Sequence, residues 1–253
     1  NEILASNTAI VLENDTPDLV ELYNDSDAEL DIGGVGITTD MAHPYAFVFP
    51  PGTLVPPRAY IVLAGGQQGK GILQRLGFEL KQTGETLFLF DAPENGGRLL
   101  DAVSWGLQIP NLSIGRMADG SWKLAQPTFG QANRFQPTAD PASLRINEWL
   151  AASSVVFRDD FIELFNTAPL PVELSGLHLS DHPVCPVVGY PAPPGASFPP
   201  LSYIGAEGFA RLVADGNPGR GGDHLSFKLN AEDGAISLVE LDDKGWVTRI
   251  IDC

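Results

Sequence analysis

The chain has 253 residues and is 43% apolar, enough to fill one large core or two ordinary ones. Acidic residues outnumber basic ones 32 to 15, and a division near residue 134 gives 8 − 16 = −8 and 7 − 16 = −9; neither half is a basic module, which argues against phosphate-backbone binding. No run approaches the roughly 18 apolar residues of a membrane span and no signal-peptide pattern opens the chain, so it reads as soluble, its acidity serving solubility and mutual repulsion.

Twenty-seven glycines and 21 prolines are spread along the chain and punctuate it into short segments. In order, "LVELYN", "AYIVLAGG", "ETLFLFDA", "LLDAVSW", "FIELFN", "GLHLSD", "AISLVELDD" and "VTRII" are strand-length, rich in β-branched and aromatic residues, and separated by turn formers. That is the pattern of an all-β sandwich or barrel. In "DLVELYND" (18–25), period 2 puts Val20, Leu22 and Asn24 on one face and Leu19, Glu21 and Tyr23 on the other. "PPGTLVPPRA" carries four prolines that cannot donate into a ladder, so it belongs on an edge or in a crossover. "GILQRLGFEL" (71–80) is the best helical candidate, limited by Gly71 and Gly77 to one or two turns. Gly84 and the Asp233-Gly234 pair suit positive-φ hairpin positions, and "ADGSW" reads as a turn followed by a strand.

The chain repeats itself. "DLVELYND" returns as "DFIELFNT" (160–167), 160 − 18 = 142 residues later; "NEILAS" (1–6) returns as "NEWLAA" (147–152), "LDIGGVGITTD" as "VELSGLHLSDH", "FELKQTGETLFLFD" as "FKLNAEDGAISLVE", and "LLDA" as "IIDC" with 250 − 99 = 151. Order is kept while the offset drifts, as loop insertions would make it, so the copies are tandem domains. The first copy continues through "VSWGLQIPNLSIGRMADGSWKLAQPTFGQAN", whereas the second reaches Cys253 before that continuation. The expected organisation is a first sandwich at 1–134, a Pro-containing linker at 135–144 and an incomplete second sandwich at 145–253, read as a fragment of a longer polypeptide. An unpaired edge left in the second copy would pair with another molecule, giving a homo-oligomer, or be covered by the other domain.

These residues resemble the lamin tail domain family, an immunoglobulin-like β-sandwich of nuclear lamins and of many bacterial secreted or surface proteins. The resemblance rests on Asn1-Glu2-Ile3, "DLVELYN", "FPPGTLVPPRAYIVLAGG" (49–66), "FELKQTGET", "SIGRMADGSW" (113–122) and "PTFGQAN" (127–133), and in the second copy on "RINEWLAAS", "DDFIELFN" and "ELSGLHLSD". Departures are "GGVGITTD" in the first copy and Asp233-Gly234 in the second. The resemblance implies two tandem immunoglobulin-like sandwiches in a larger extracellular or cell-surface protein, acting as a non-catalytic interaction or structural module.

Chemical motifs are sparse. "AGGQQGKG" (64–71) follows a strand as a phosphate-binding loop should, but Ala64 replaces its first glycine and Gly71 the magnesium-binding hydroxyl, so a glycine-rich hairpin is the better reading. "GGVG" (33–36) lacks the helix a dinucleotide fingerprint needs. His178 and His182 fall on a strand and its turn, where i, i+4 spacing does not converge; with Asp181 and His224 they form a weak zinc candidate, His43 standing apart. Glu21 and Glu163 are strand carboxylates without an evident partner, so structural use outweighs general acid catalysis. "ENDTPD" and "FRDD" read as exposed acidic loops rather than calcium loops. Cys185 and Cys253 make no framework, though one bridge between them is open.

No residue is assigned a catalytic, cofactor-binding or metal-binding role, and no cofactor, nucleic acid or membrane span is expected. The partner is a protein or an extracellular polymer, reached through loops or a strand edge. The alternative is a carbohydrate-binding accessory module of an extracellular hydrolase, in which some of Trp105, Trp122, Trp149 and Trp246 form a stacking platform rather than core. An enzyme in its own right would need a cleft with converging titratable groups, for which an interdomain position is the natural place.

Overall fold

A computed structural model describes residues 1–68, 74–151, 159–232 and 234–253, which form two compact units: 1–104 with 108–136, and 105–107 with 137–253. Both are all-β, as the recurring short apolar runs require.

The first unit contains β1 (Glu2–Leu4), β2 (Leu19–Tyr23), β3 (Leu30–Asp31), β4 (Gly36–Thr38), β5 (Phe47–Val48), β6 (Leu54–Val55), β7 (Tyr60–Ala64), β8 (Glu85–Phe90), β9 (Leu99–Trp105), β10 (Ser113–Arg116), β11 (Trp122–Gln126) and β12 (Arg134–Phe135). They build a sheet of order β12-β11-β10-β1-β2-β7, a second of order β5-β4-β8-β9, and a β3-β6 ribbon. The proline-rich segment thus supplies only the two-residue edge partner β6, since proline lacks the donor a longer ladder needs.

The second unit contains β13 (Leu144–Leu150), β14 (Phe161–Asn166), β15 (Val172–Glu173), β16 (Leu177–Ser180), β17 (Ala196–Ser197), β18 (Tyr203–Ile204), β19 (Phe209–Val213), β20 (Ser237–Leu241) and β21 (Val247–Asp252). Its sheets run β13-β14-β19 and β17-β16-β20-β21, with a β15-β18 ribbon. Strand for strand this is the first unit's order without counterparts, among the described residues, of β10, β11 and β12. Ile162, Leu164 and Leu212 of one sheet share a core with Leu177, Leu179 and Leu238 of the other. That alternation puts Phe161, Glu163 and Phe165 on the opposite face, where Phe161 is buried and Glu163 and Phe165 are half-buried.

Local signals act where the sequence placed them. Gly84 has φ 116°, and Gly120 (φ 83°) closes the "ADGSW" turn, in which the Met117 N–H donates to Ser121 O at 2.8 Å. Gly234, the other position expected to take a positive φ, is not among the positive-φ glycines of the described residues, and Asp233 before it lies outside them. The helix expected over 71–80 is not formed in its described part, 74–80. There Arg75 bridges Ala64 in parallel register and Gly77 takes φ 91°, so backbone pairing to the end of β7 wins over helix propensity.

Arg134 and Phe135 pair with Gln126 and Ala125 of β11, Asp140 caps a 3-10 turn at Pro141–Ser143 by accepting from the Ala142 N–H, and Leu144, expected to end the linker, is fully buried at the start of β13. Ala139 donates to Pro171 O at 2.7 Å, so residues from 137 onward belong to the second unit's own packing.

Candidate functional site: the paired strands of the repeated motif

The repeated octet forms the second strand of each unit, and its asparagine explains the repetition. Asn24 Nδ2 donates to Ala28 O, Val55 O and Pro56 O at 2.8, 3.0 and 2.9 Å while Oδ1 accepts from the Ser26 N–H at 3.0 Å. Asn166 repeats this, donating to Leu170 O and Gly205 O at 2.8 Å each and accepting from the Ala168 N–H at 2.9 Å. Both are buried, and an amide with two donors and an acceptor is the side chain that can tie three chain segments together. The preceding aromatic is repeated too: Tyr23 stacks on Tyr60 with ring centroids 4.6 Å apart, and Phe165 on Phe209 at 4.5 Å.

Glu21 and Glu163 do have partners in register. Glu2 of β1 stands opposite Glu21, and Glu148 of β13 stands opposite Glu163. In the first unit both carboxylates are fully buried and satisfied by neutral donors. Glu2 accepts from Ser113 Oγ at 2.6 Å and from the Thr128 N–H at 3.0 Å; Glu21 accepts from Asn1 Nδ2 at 2.7 Å and from the Gly130 N–H. Burial raises the pKa of each against the lowering effect of these bonds. The expectation of one isolated carboxylate per domain is therefore corrected: sheet closure supplies a second. Glu2 was visible as the repeated Glu of "NEILAS" and "NEWLAA", but its partnership with Glu21 needed the register. The Thr128 and Gly130 N–H groups bond the pair directly, so its chemistry here is to hold the segment 127–133 down. Glu21→Ala is expected to raise amide exchange at Gly130 at least about tenfold by removing a charge-assisted bond; unchanged protection would show that the segment is held by other contacts.

In the second unit Asn147 Nδ2 donates to Glu163 at 2.7 Å, repeating Asn1 to Glu21, but Glu148 is exposed. Arg211 faces Glu163 across β19 where the first unit has Val62, and its guanidinium lies 4.3 Å from the centre of the Phe161 ring.

Other candidates disperse. The described part of the glycine-rich segment, 64–68, is a hairpin arm in which the Gly66 N–H donates to Phe78 O and Gly66 O accepts from the Gly77 N–H; residues 69–71 lie outside the described residues. His178 is buried, its Nε2–H donating to Pro193 O at 3.0 Å while Nδ1 accepts from Ser197 Oγ, and burial lowers its pKa. His182 is exposed in the following turn beside Val184, His224 bonds Asp215 at 2.9 Å, and His43 bonds Asp40 at 2.7 Å. Among the described residues no three His, Cys, Asp or Glu side chains gather as a ligand set. Within "ENDTPD", Glu13 and Asp15 lie 3.7 and 3.6 Å from the buried Arg75, and Asp18 accepts from the Leu80 N–H at 2.9 Å, so that loop serves structure. Residues 157 and 158 of "FRDD" lie outside the described residues. Cys185 and Cys253 are disulfide-bonded, their Cα atoms 6.3 Å apart.

Tryptophans divide between core and surface. Trp105 is buried and Trp122 lies under the Arg116 guanidinium, whereas Trp149 and Trp246 are 59% and 45% exposed. The first unit also carries a pH signature. Burial pushes the Asp18 carboxyl from 3.8 up to about 6, the Leu80 N–H opposing. Between those values the folded state binds more protons than the unfolded one, so stability falls as pH rises from about 4 to about 6. Asp18→Asn is expected to flatten that part of the slope in thermal unfolding at stepped pH; parallel profiles would refute the assignment.

Layered antiparallel sheets with an internally satisfied carboxylate pair define an immunoglobulin-like all-β module. The lamin tail domain family model matches residues 4–107, so this part of the chain is similar to that family, whose members are typically non-catalytic. Neither a curated protein nor a solved structure matches the chain.

Proposed function

We propose that the chain is a non-catalytic interaction module of a larger secreted or cell-surface protein of bacterial type, and that its second unit is a further lamin tail domain. The repeated strand order, Asn166 network and aromatic stack support the tandem reading, and the disulfide supports an oxidising compartment. The observation that carries the function is a fixed apolar loop. Val184, Val187, Val188 and Tyr190 are 65%, 58%, 53% and 65% exposed, with Trp246 beside them through the Pro191 bridge. The loop is held by the Cys185 disulfide and by bonds from the Gly189 N–H to Val247 O, from the Val247 N–H to Tyr190 O and from the Ala192 N–H to Gly245 O. Exposed apolar side chains on a pre-ordered loop fit a partner-contact surface, because little ordering entropy remains to be lost on binding.

Val187→Asp with Tyr190→Ala is expected to release the full-length protein from the cell-surface fraction at least about fivefold while leaving thermal unfolding unchanged, since both side chains are exposed. Full retention by the variant would refute the proposal. Carbohydrate binding is the second reading, favoured by Trp149, which lines a cleft of about 330 Å³ with Asp181, Asn230 and Glu232. Oligosaccharide titration with Trp149→Ala as control decides it: no difference between the two chains removes this site.

A further inference from the structure

The 184–190 loop ends in a tight apolar tip. Val187 to Tyr190 close a β-turn, in which the Tyr190 N–H donates to Val187 O at 3.2 Å and Gly189 takes φ 85°, a left-handed value that glycine adopts without a Cβ clash. Val187, Val188 and Tyr190 stand 58%, 53% and 65% exposed on this turn, and the Pro191 bridge sets Trp246, 45% exposed, beside them. None of the four is charged, and the polar atoms their side chains offer are the Tyr190 hydroxyl and the Trp246 indole N–H.

Backbone donors around the tip are used within the protein. The Gly189 N–H bonds Val247 O at 2.8 Å, the Val247 N–H bonds Tyr190 O at 2.9 Å and the Ala192 N–H bonds Gly245 O at 3.0 Å, while Pro186 and Pro191 have no N–H to satisfy. A protein or glycan partner is selected by placed polar groups, of which this tip has two. A bilayer asks for the reverse: apolar side chains on a backbone whose donors are already bonded, with Tyr and Trp rings at headgroup level. Charge narrows the lipid. The β20–β21 hairpin that presents Trp246 carries Asp242, Asp243 and Lys244, two carboxylates against one ammonium, on a chain of formal charge −17, so anionic headgroups would repel it.

We propose that Val187, Val188, Tyr190 and Trp246 insert into the interfacial layer of a zwitterionic bilayer, so that the partner met by the loop is a lipid surface. This rests on the reading of the loop as a contact surface and names what it contacts. The valines enter the acyl boundary, while the Tyr190 hydroxyl and the Trp246 N–H stay among the headgroups. Because the turn is already fixed, insertion orders little chain. Docking of two tips on one another fits less well, since it brings Asp242 and Asp243 of two acidic chains together.

Sedimentation of the full chain with phosphatidylcholine vesicles tests this, together with quenching of tryptophan emission by vesicles whose acyl chains are brominated. The expected result is saturable partition, weakened at least about tenfold by Val187→Asp with Tyr190→Ala. Replacing half of the lipid by phosphatidylglycerol should weaken partition at least about threefold at low salt, and added salt should restore it. Quenching should appear in the unaltered chain and fall away in Trp246→Phe, which retains Trp149; this arm does not depend on the folding of a charged variant. No partition into either vesicle, equal partition of the Val187→Asp, Tyr190→Ala chain, tighter binding to the anionic vesicles, or quenching unchanged in Trp246→Phe would overturn the proposal. Release of the double variant from the cell-surface fraction without vesicle binding by the unaltered chain would also overturn it, leaving the contact surface to a protein. Retention on cells of a double variant that no longer binds vesicles would remove the contact-surface reading, and this proposal with it.

Discussion

Asn166→Ala is expected to lower the stability of the second unit by about 4 kcal/mol, on the order of 15 °C in its melting temperature. The side chain is fully buried and bonds three chain segments: Leu170 O, Gly205 O and the Ala168 N–H, with Ser143 Oγ also donating to it at 3.1 Å. Truncation strands these groups away from water, and each costs its desolvation rather than the smaller net worth of a bond. Asn166→Asp is the sharper variant, because it turns an acceptor oxygen toward two carbonyls that need donors. It should be worse than alanine near pH 7 and should recover toward pH 4. A carboxyl held protonated by its surroundings has a raised folded-state pKa, so its stabilising form is present at low pH and lost as pH rises. Asn24 predicts the same for the first unit, where three carbonyls meet the amide. Scanning calorimetry with the two transitions separated reads both; a loss below about 1 kcal/mol would mean that water replaces the amide.

Reducing the disulfide, or changing Cys185 and Cys253 to Ser together, is expected to cost the second unit about 4 kcal/mol. The bond closes a loop with a sequence separation of 68, and loop-closure entropy of that length gives about this figure. The loss should fall on the second unit's transition and leave that of the first in place, since both cysteines lie in the second. It should also loosen the 184–190 loop, visible as faster amide exchange at Gly189 and Tyr190, whose bonds run to Val247 and Val187. Coincident melting curves with and without reductant would show that the packing of Leu177, Leu179 and Leu238 alone fixes this part of the fold.

Short-range features were legible in the sequence because their physics is local. Each strand named from alternation and turn spacing is present, from "LVELYN" at β2 to "VTRII" at β21, since period 2 and turn formers act over a few residues. Over 74–80, the described part of the expected 71–80 helix, the structure differs for the complementary reason. Its local propensity was real, but the Ala64 N–H donates to Gln74 O and Ala64 O accepts from the Leu76 N–H, and a competing backbone partner ten residues away is invisible to a propensity window. Arg75, buried beside Gly65 O, Glu13 and Asp15, was missed on the same account.

By itself the sequence determined the all-β class, the likeness of residues 4–107 to the lamin tail domain family and the places of its turns, because each is written in the order and spacing of neighbouring residues. Tertiary structure alone decided what the glutamates do. Thr128 reaches Glu2 across 126 residues and Gly130 reaches Glu21 across 109, contacts that exist only once β10 has closed against β1. The same letters without that closure leave Glu148 in solvent. A side chain's chemistry is set by the sheet neighbour it acquires, and strand order, unlike strand identity, is not a local property of the chain.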